Sequence, residues 1–337
     1  MTGKARFLIL NRTCLGVIDV HRAWADDQQI ELIGDPSLKN LSDKQIGLLF
    51  AGVHAVILPA PFCFEDRHMA GAETLQVVSI AASGYEWMDI EAATRHGIVV
   101  THAPVREGAE VVADLTWGLI LGAARRIPYH DRAVRNGEYA RTMGTGVFNK
   151  TLGIVGLGNI GKAVVRRAIG FGMQILATDP KPDKEFVRQY SVKLVTLTQL
   201  LAQSDFVSLH VRLSAQTEGM IGSRELALMK RQAYLINTAR GGLVNEAALY
   251  SALTSGQLAG AAMDDVPSKK DVPLLKCDDF ICTPHLGNFA TEGVNAVFRC
   301  ALENALAVVQ GRRPRAVLNP EVYDGRLRTV PACADEK

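Results

Sequence analysis

Short, predominantly apolar runs recur along the chain, separated by longer stretches with helical periodicity. In the first hundred residues these runs fall at 6–10, 55–58, 76–81 and 98–101. Runs that are apolar throughout, rather than at alternate positions, mark strands buried on both faces, as in parallel sheets. Asp89 is placed to cap a helix reaching His96, and Gly97 to end it. A long helical pattern then covers 107–137, with Pro128 marking a kink or break. A helix that long and apolar is expected to pack on something large, such as a partner subunit. Strand-length runs return at 152–155, 174–178, 193–195, 205–209, 233–237, 259–263 and 280–282, most of them separated by helical segments. This alternation predicts an α/β fold of doubly wound parallel sheets. A last helix is expected from Ala290 to about Gln310, stopped by Gly311. The late helix returning after 289 predicts a discontinuous layout: 1–103 plus 290–337 as one domain, 104–289 as the other.

Composition narrows the class. At 337 residues the chain is long enough for two domains, and 48% hydrophobic with 21% charged is an ordinary globular balance. The net charge of +2, without a long basic block, gives no reason to expect nucleic acid or an anionic membrane as a partner. Cys14, Cys63, Cys277, Cys282, Cys300 and Cys333 are scattered, with no metal-ligand spacing, so no metal is expected and a reducing compartment is. The start MTGKARFLIL lacks the long apolar core and cleavage site of a signal peptide, and Val111–Ala124 is too short to span a bilayer. The expected location is the cytoplasm.

The strongest local motif is Gly156-Leu157-Gly158-Asn159-Ile160-Gly161, directly after the run LGIV and opening a helical segment. In that context the first glycine makes a tight turn and the second lets backbone approach a pyrophosphate. The third lets helix and strand pack closely, and the helix N-terminus faces the negative charge. Asp179 ends the next strand run, where a carboxylate accepts hydrogen bonds from ribose hydroxyls and repels a 2′-phosphate. NAD is therefore expected over NADP.

Three later segments carry candidate chemistry. Arg240 follows one strand run in INTARGGLVNEAAL, Asp264 the next in AGAAMDDV, and His285 the last in CTPHLGN. In a parallel sheet the C-terminal strand ends share one edge, so the three converge there. With SGYEWMD (83–89), VADL (112–115), GIVGLGNIG (153–161), NTARGGLVNE (237–246), GAAMDD (260–265) and TPHLGN (283–288), the chain resembles the D-isomer-specific 2-hydroxyacid dehydrogenases over roughly residues 50 to 320.

The resemblance implies a Rossmann cofactor domain inserted into a flavodoxin-like substrate domain, and hydride transfer between NAD and a D-2-hydroxy acid or 2-keto acid. It gives Arg240 the substrate carboxylate and the 2-keto oxygen, a role that suits a guanidinium's parallel donors. His285 would be general acid in reduction and base in oxidation. Backbone around Ser83, Gly84 and Tyr85 would hold the other end of the carboxylate. Asp264 would meet the nicotinamide carboxamide, and His210, Val211, Thr238, Ala239 and Gly287 would line the cofactor. A homodimer is expected, with Met143 and its aromatic neighbours in a core or an interface, and Arg125 and Arg126 on a solvated face or at the dimer contact.

The chain also departs from the family. Relatives pair the histidine with a glutamate, in a context like DVFxxEP; the matching position here is Lys269, and no glutamate lies between Asp264 and His285. A carboxylate favours imidazolium and a lysine disfavours it, so weakened general-acid behaviour at neutral pH, or a substrate group supplying the charge, is expected; the nearest carboxylates are Asp265, Asp271, Asp278 and Asp279, with Asp271 the first candidate for a substitute. Arg212 follows His210-Val211 where proline is common, and Glu86 and Trp87 stand where Asp and Asn are usual. With Arg106 these changes point to a substrate carrying a second anionic group. The alternative function is an NAD-binding regulatory protein of the same fold: Arg240 and His285 favour the enzyme, Lys269 the binder.

Overall fold

The computed structural model describes residues 4–10, 16–35, 42–59, 63–139, 141–265 and 272–325. The chain divides into two compact units, residues 1–108 with 291–337, and residues 109–290. Both are parallel-sheet α/β units, so the expected fold class is borne out.

The first unit runs β1 (Ala5–Leu10), α1 (Gly16–Asp27), β2 (Ile30–Asp35), α2 (Asp43–Phe50), β3 (Ala55–Leu58), α3 (Asp66–Ala70), β4 (Val77–Ile80), α4 (Ile90–Arg95) and β5 (Val99–His102). The strands form one parallel sheet in the order β2-β1-β3-β4-β5. β3 and β4 are buried at every position, which is why β3 is wholly apolar and β4 is apolar but for Ser79. β2 was not expected: Glu31, Gly34 and Asp35 interrupt its pattern, as befits a sheet edge. Asp89 caps α4 by accepting from Ala92 N at 2.9 Å, and Gly97, at φ 68°, ends the turn after it.

The second unit begins within α5 (Arg106–Ala124) and continues with α6 (Ile127–Arg135), β6 (Thr151–Val155), α7 (Asn159–Ala168), β7 (Gln174–Thr178), α8 (Lys184–Gln189), β8 (Lys193–Leu194), α9 (Leu197–Gln203), β9 (Phe206–Leu209), α10 (Ser223–Leu228), β10 (Tyr234–Asn237), α11 (Glu246–Thr254), β11 (Gly260–Met263) and β12 (Phe280–Cys282). The long apolar pattern is thus two helices. The break falls at Arg126, which adopts a left-handed φ of 52°, and Pro128 sits in the first turn of α6, where its missing N–H costs nothing.

The seven strands are ordered β12-β11-β10-β9-β6-β7-β8, all parallel. Strand order reverses between β6 and β9, the point where ligands of such sheets bind. One core joins the sheet to α5 and α7 through Ala113, Ile120, Ile154, Val164 and Ile236; the other holds Leu200, Leu209, Leu226, Leu235 and Leu249.

The chain then returns to the first unit through α12 (Thr291–Val309). Val297, Phe298, Ala301, Leu302 and Ala305 are buried against Ile57, Val77 and Val99 of its sheet. Each large apolar side chain so covered contributes about 1.5–3 kcal/mol. Ser79, fully buried on β4, donates to Ala301 O at 2.8 Å and pairs with the Thr101 hydroxyl at 2.7 Å. Beyond the helix the chain lies along β5. Val317 bridges Thr101 in antiparallel sense, Leu318 N donates to Val100 O, and the amide of Asn319 accepts from Val100 N at 2.8 Å and donates to Ile98 O at 2.9 Å.

Candidate active site

The C-terminal ends of β6, β9, β10, β11 and β12 open on one edge of the second unit, and the candidate residues stand along it. The turn after β6 is built by glycine. Gly156 has φ 94°, and a Cβ there would lie 2.7 Å from His210 O at the end of β9. A Cβ on Gly161 would strike the carbonyl of Gly156. Gly158, at the N-cap of α7, has nothing within 4 Å of the place its Cβ would take, and no side chain caps the helix. The first amides of α7 therefore face an open cradle, which fits the pyrophosphate of a dinucleotide.

Asp179 closes the side of this turn. Its Oδ2 accepts from Leu157 N at 2.7 Å and its Oδ1 from Lys181 N at 2.7 Å. Each oxygen keeps a lone pair for a ribose hydroxyl. His210 is half-buried, with Nε2 2.8 Å from the Ser208 hydroxyl. Desolvation of its ring pushes the pKa down to about 3, so it is neutral, an uncharged lining beside the glycine turn.

β10 delivers Thr238, Ala239 and Arg240. Thr116 on α5 donates to Val112 O at 2.8 Å, so the Thr238 hydroxyl, 2.8 Å from the Thr116 hydroxyl, is its donor. Asn237, fully buried, donates to Arg240 O at 2.7 Å and accepts from Ala239 N at 3.1 Å, folding the turn that carries the arginine. Gly241 N donates to Asp265 Oδ2 at 2.8 Å. Arg240 itself donates from Nη1 to Ala239 O at 2.8 Å.

On the other side of β11, Asp264 is 3% exposed and accepts three hydrogen bonds, from Thr283 Oγ1 at 2.5 Å, Leu286 N at 2.7 Å and Gly287 N at 2.6 Å. They bracket His285, which is exposed and left-handed at φ 56°. That conformation costs a non-glycine residue about 1–2 kcal/mol, and the surrounding bonds hold it. Cys282, just before this loop, has its thiol pKa pushed up by burial and then by the Asp264 and Asp265 carboxylates, so it is a poor nucleophile.

A family model described as D-isomer specific 2-hydroxyacid dehydrogenase, NAD binding domain, matches residues 117–287. A glyoxylate reductase of Korarchaeum cryptofilum is 41% identical over 264 residues, covering 76% of this chain and 79% of the relative. The chain belongs to the D-isomer specific 2-hydroxyacid dehydrogenases. A D-3-phosphoglycerate dehydrogenase of Methanocaldococcus jannaschii is 42% identical over 273 residues, but the match spans 78% of this dehydrogenase and 52% of that one, about half its length. Among solved structures, the TT0316 protein of Thermus thermophilus superposes with a TM-score of 0.81 at 32% identity, covering 93% of this chain and 99% of that one. The dehydrogenase is an NAD-dependent oxidoreductase acting on CH–OH groups.

The structure brings Gly156, Gly158, Asn159, Ile160, Gly161, Asp179, His210, Val211, Thr238, Ala239, Arg240, Asp264, His285 and Gly287 to one sheet edge of the second unit. Ser83, Gly84 and Tyr85 belong to the first unit, after β4. There His102 Nδ1 donates to Ser83 O at 3.0 Å and the Tyr85 ring meets the His102 ring edge-on at 5.4 Å, so His102 shapes this loop.

Lys269 and Asp271 lie outside the described residues. The other candidate substitutes for the glutamate are engaged: Asp265 on Gly241 N, Asp278 on Arg132 at 2.5 Å and Asp279 on Arg126 at 2.9 Å. Arg126 is therefore not on a solvated face; it is half-buried with its guanidinium over the Tyr129 ring. Met143 is not in a core, being 95% exposed. Sequence reasoning assigned no role to Asn237, Thr116, Thr283 or His102. Asn237 begins one motif and Thr283 another, but nothing in spacing shows that Asn237 binds the backbone of Ala239 and Arg240 or that Thr283 binds the Asp264 carboxylate.

Proposed function

We propose that this dehydrogenase interconverts a small 2-keto acid of the glyoxylate class and its D-2-hydroxy acid, with NAD preferred over NADP. The reading rests on one observation above all. Arg240 and His285 stand at the ends of β10 and β12, two strands apart in the sheet that carries the glycine cradle, a spacing of about 10 Å. NADH held in the cradle supplies the hydride. Arg240 binds the substrate carboxylate and polarises the keto oxygen; His285 gives that oxygen its proton in reduction and removes it in oxidation. We also assign Ser83, Gly84 and Tyr85 of the first unit to substrate binding. We assign 1–103 plus 290–337 to the substrate domain and 104–289 to the cofactor domain.

The test is steady-state NADH oxidation with glyoxylate, hydroxypyruvate and 3-phosphohydroxypyruvate. Arg106 and Arg212 support the phosphorylated acid, and the similarity to glyoxylate reductases supports the smallest one. His285→Ala should lower kcat about 10²–10⁴-fold, and Arg240→Ala should abolish turnover while NADH still binds. No turnover with any acid, with NADH binding intact, favours the regulatory reading.

Ile127, Val134, Tyr139, Met143 and Phe148, all within residues 127–148, are exposed, which supports a homodimer contact through that segment. Met143→Asp with Phe148→Asp should give a monomer by light scattering. Cys63, Cys277, Cys282 and Cys300 are free thiols, which supports a cytoplasmic location; among the described residues no helix is long and apolar enough to cross a membrane.

A further inference from the structure

β11 lies between β10 and β12, and its chain leaves the sheet through two consecutive carboxylates. Successive side chains at a strand end point to opposite sides, and here each one reaches a different neighbour. Asp264 accepts the amide of Leu286, the residue immediately after His285, at 2.7 Å. Asp265 accepts the amide of Gly241, the residue immediately after Arg240, at 2.8 Å.

In both cases the bonded amide belongs to the peptide that leaves the Cα of the functional residue. That peptide plane sets where the side chain starts from. On the Arg240 side the plane is held at both ends: its N–H by Asp265, its C=O by the Asn237 amide at 2.7 Å and by Leu243 N at 3.2 Å. Gly241 eases the approach, because a Cβ there would stand a tight 3.3 Å from the same Asp265 oxygen. On the His285 side, Asp264 binds the Thr283 hydroxyl before the histidine and the Leu286 and Gly287 amides after it, fixing a left-handed residue in place.

We propose that Asp264 and Asp265 are a pair of positioning residues, which fix His285 and Arg240 in mutual register from the single strand between them. Asp265 acts on substrate binding through Arg240, and Asp264 on proton transfer through His285. Neither carboxylate needs to touch the acid. The proposal rests on the roles given to Arg240 and His285 above.

The experiment compares Asp265→Ala, Asp265→Asn and Arg240→Ala in the full chain, measuring kcat and KM for the keto acid, the NADH dissociation constant and Tm. Asparagine keeps an oxygen that can accept from Gly241 N; alanine does not. We expect Asp265→Ala to raise KM for the acid about 10-fold or more, the loss of one hydrogen bond to a charged acceptor, with NADH affinity within about twofold. Asp265→Asn should restore most of KM. An unchanged KM in Asp265→Ala, or equal impairment in both Asp265 variants, overturns the proposal. If Arg240→Ala is inactive while Asp265→Ala behaves as wild type, the positioning idea fails and the role of Arg240 stands. If Arg240→Ala turns over normally, both fail. Asp264→Asn leaves one acceptor for three donors. At saturating NADH it should cut kcat about tenfold, while changing KM for the acid far less; an unchanged kcat overturns that half.

Discussion

Two glycines three residues apart in one turn should fail in different ways. At Gly161 an added Cβ meets the carbonyl of Gly156, and that carbonyl has little room to move, because Gly156 is left-handed and its N–H is bonded to Thr178 O at 2.9 Å. The added methyl must displace backbone, and overpacking of this kind costs about 1–3 kcal/mol or somewhat more. Taking about 3 kcal/mol, and about 2–4 °C per kcal/mol for a unit of this size, Gly161→Ala should melt about 6–12 °C lower. At Gly158 there is no neighbour within 4 Å and φ is an ordinary −75°. Gly158→Ala should lose at most about 1 kcal/mol, through a poorer helix cap. Its methyl, however, would project into the open cradle proposed for the pyrophosphate. Losing one hydrogen bond to a charged group costs about 1.5–3 kcal/mol, so NADH should bind about 10–100-fold more weakly. Thermal melting without ligand and an NADH fluorescence titration separate the two. Wild-type NADH affinity in Gly158→Ala would mean the phosphates sit elsewhere, and an unshifted melt in Gly161→Ala would refute the packing argument.

Asp179→Ser should narrow the preference for NADH over NADPH, since the carboxylate that repels a 2′-phosphate is gone; equal NADPH and NADH affinity in the wild type would contradict this. Burial holds the pKa values of His21, His54 and His68 below 6.5 in the first unit, with Arg67 adding to the effect at His68 against Glu65. Folded-state values below the unfolded ones mean that the unfolded chain binds more protons, so stability is full above about pH 6.5 and falls as pH drops below it. Tm measured from pH 7.5 to 5 should show that slope, and His68→Gln, which keeps an acceptor for Glu65 N, should flatten it. Asn319→Ala leaves Val100 N and Ile98 O without their partner and should destabilise the chain by about 2–4 kcal/mol in a urea melt, each buried orphan costing about 1–3 kcal/mol.

Much of this molecule is legible in its sequence, for a physical reason. Strands buried on both faces must be predominantly apolar, so β3, β4, β6 and β10 stand out, and glycines that cannot carry a Cβ mark the turn after β6. β2 escapes because an edge strand is free to carry Glu31 and Gly34. The break in the long helical pattern is marked by Pro128, but the residue that makes it, Arg126, is not: a left-handed arginine has no sequence signature, and its salt bridge is to Asp279, far along the chain. The polar residues that aim the site, Asn237, Asp265 and Thr283, look like ordinary loop residues. The partners of Asn237 and Asp265 are backbone groups, which carry no identity in a sequence, and that of Thr283 is the Asp264 carboxylate on another strand end.

The first sheet also imposes an order of events during synthesis. Its five strands have all emerged by His102, yet α12 begins only about 190 residues later. At about 5–20 residues per second, the ribosome needs roughly 10–40 s to deliver the helix that covers Ile57, Val77 and Val99 and the tail segment that seals β5. For that interval the nascent chain presents an uncovered apolar sheet face and an open strand edge, the two features that attract chaperones and stray strands alike. The second unit, lying wholly between these two stretches, can complete its own core before the first unit receives its last helix.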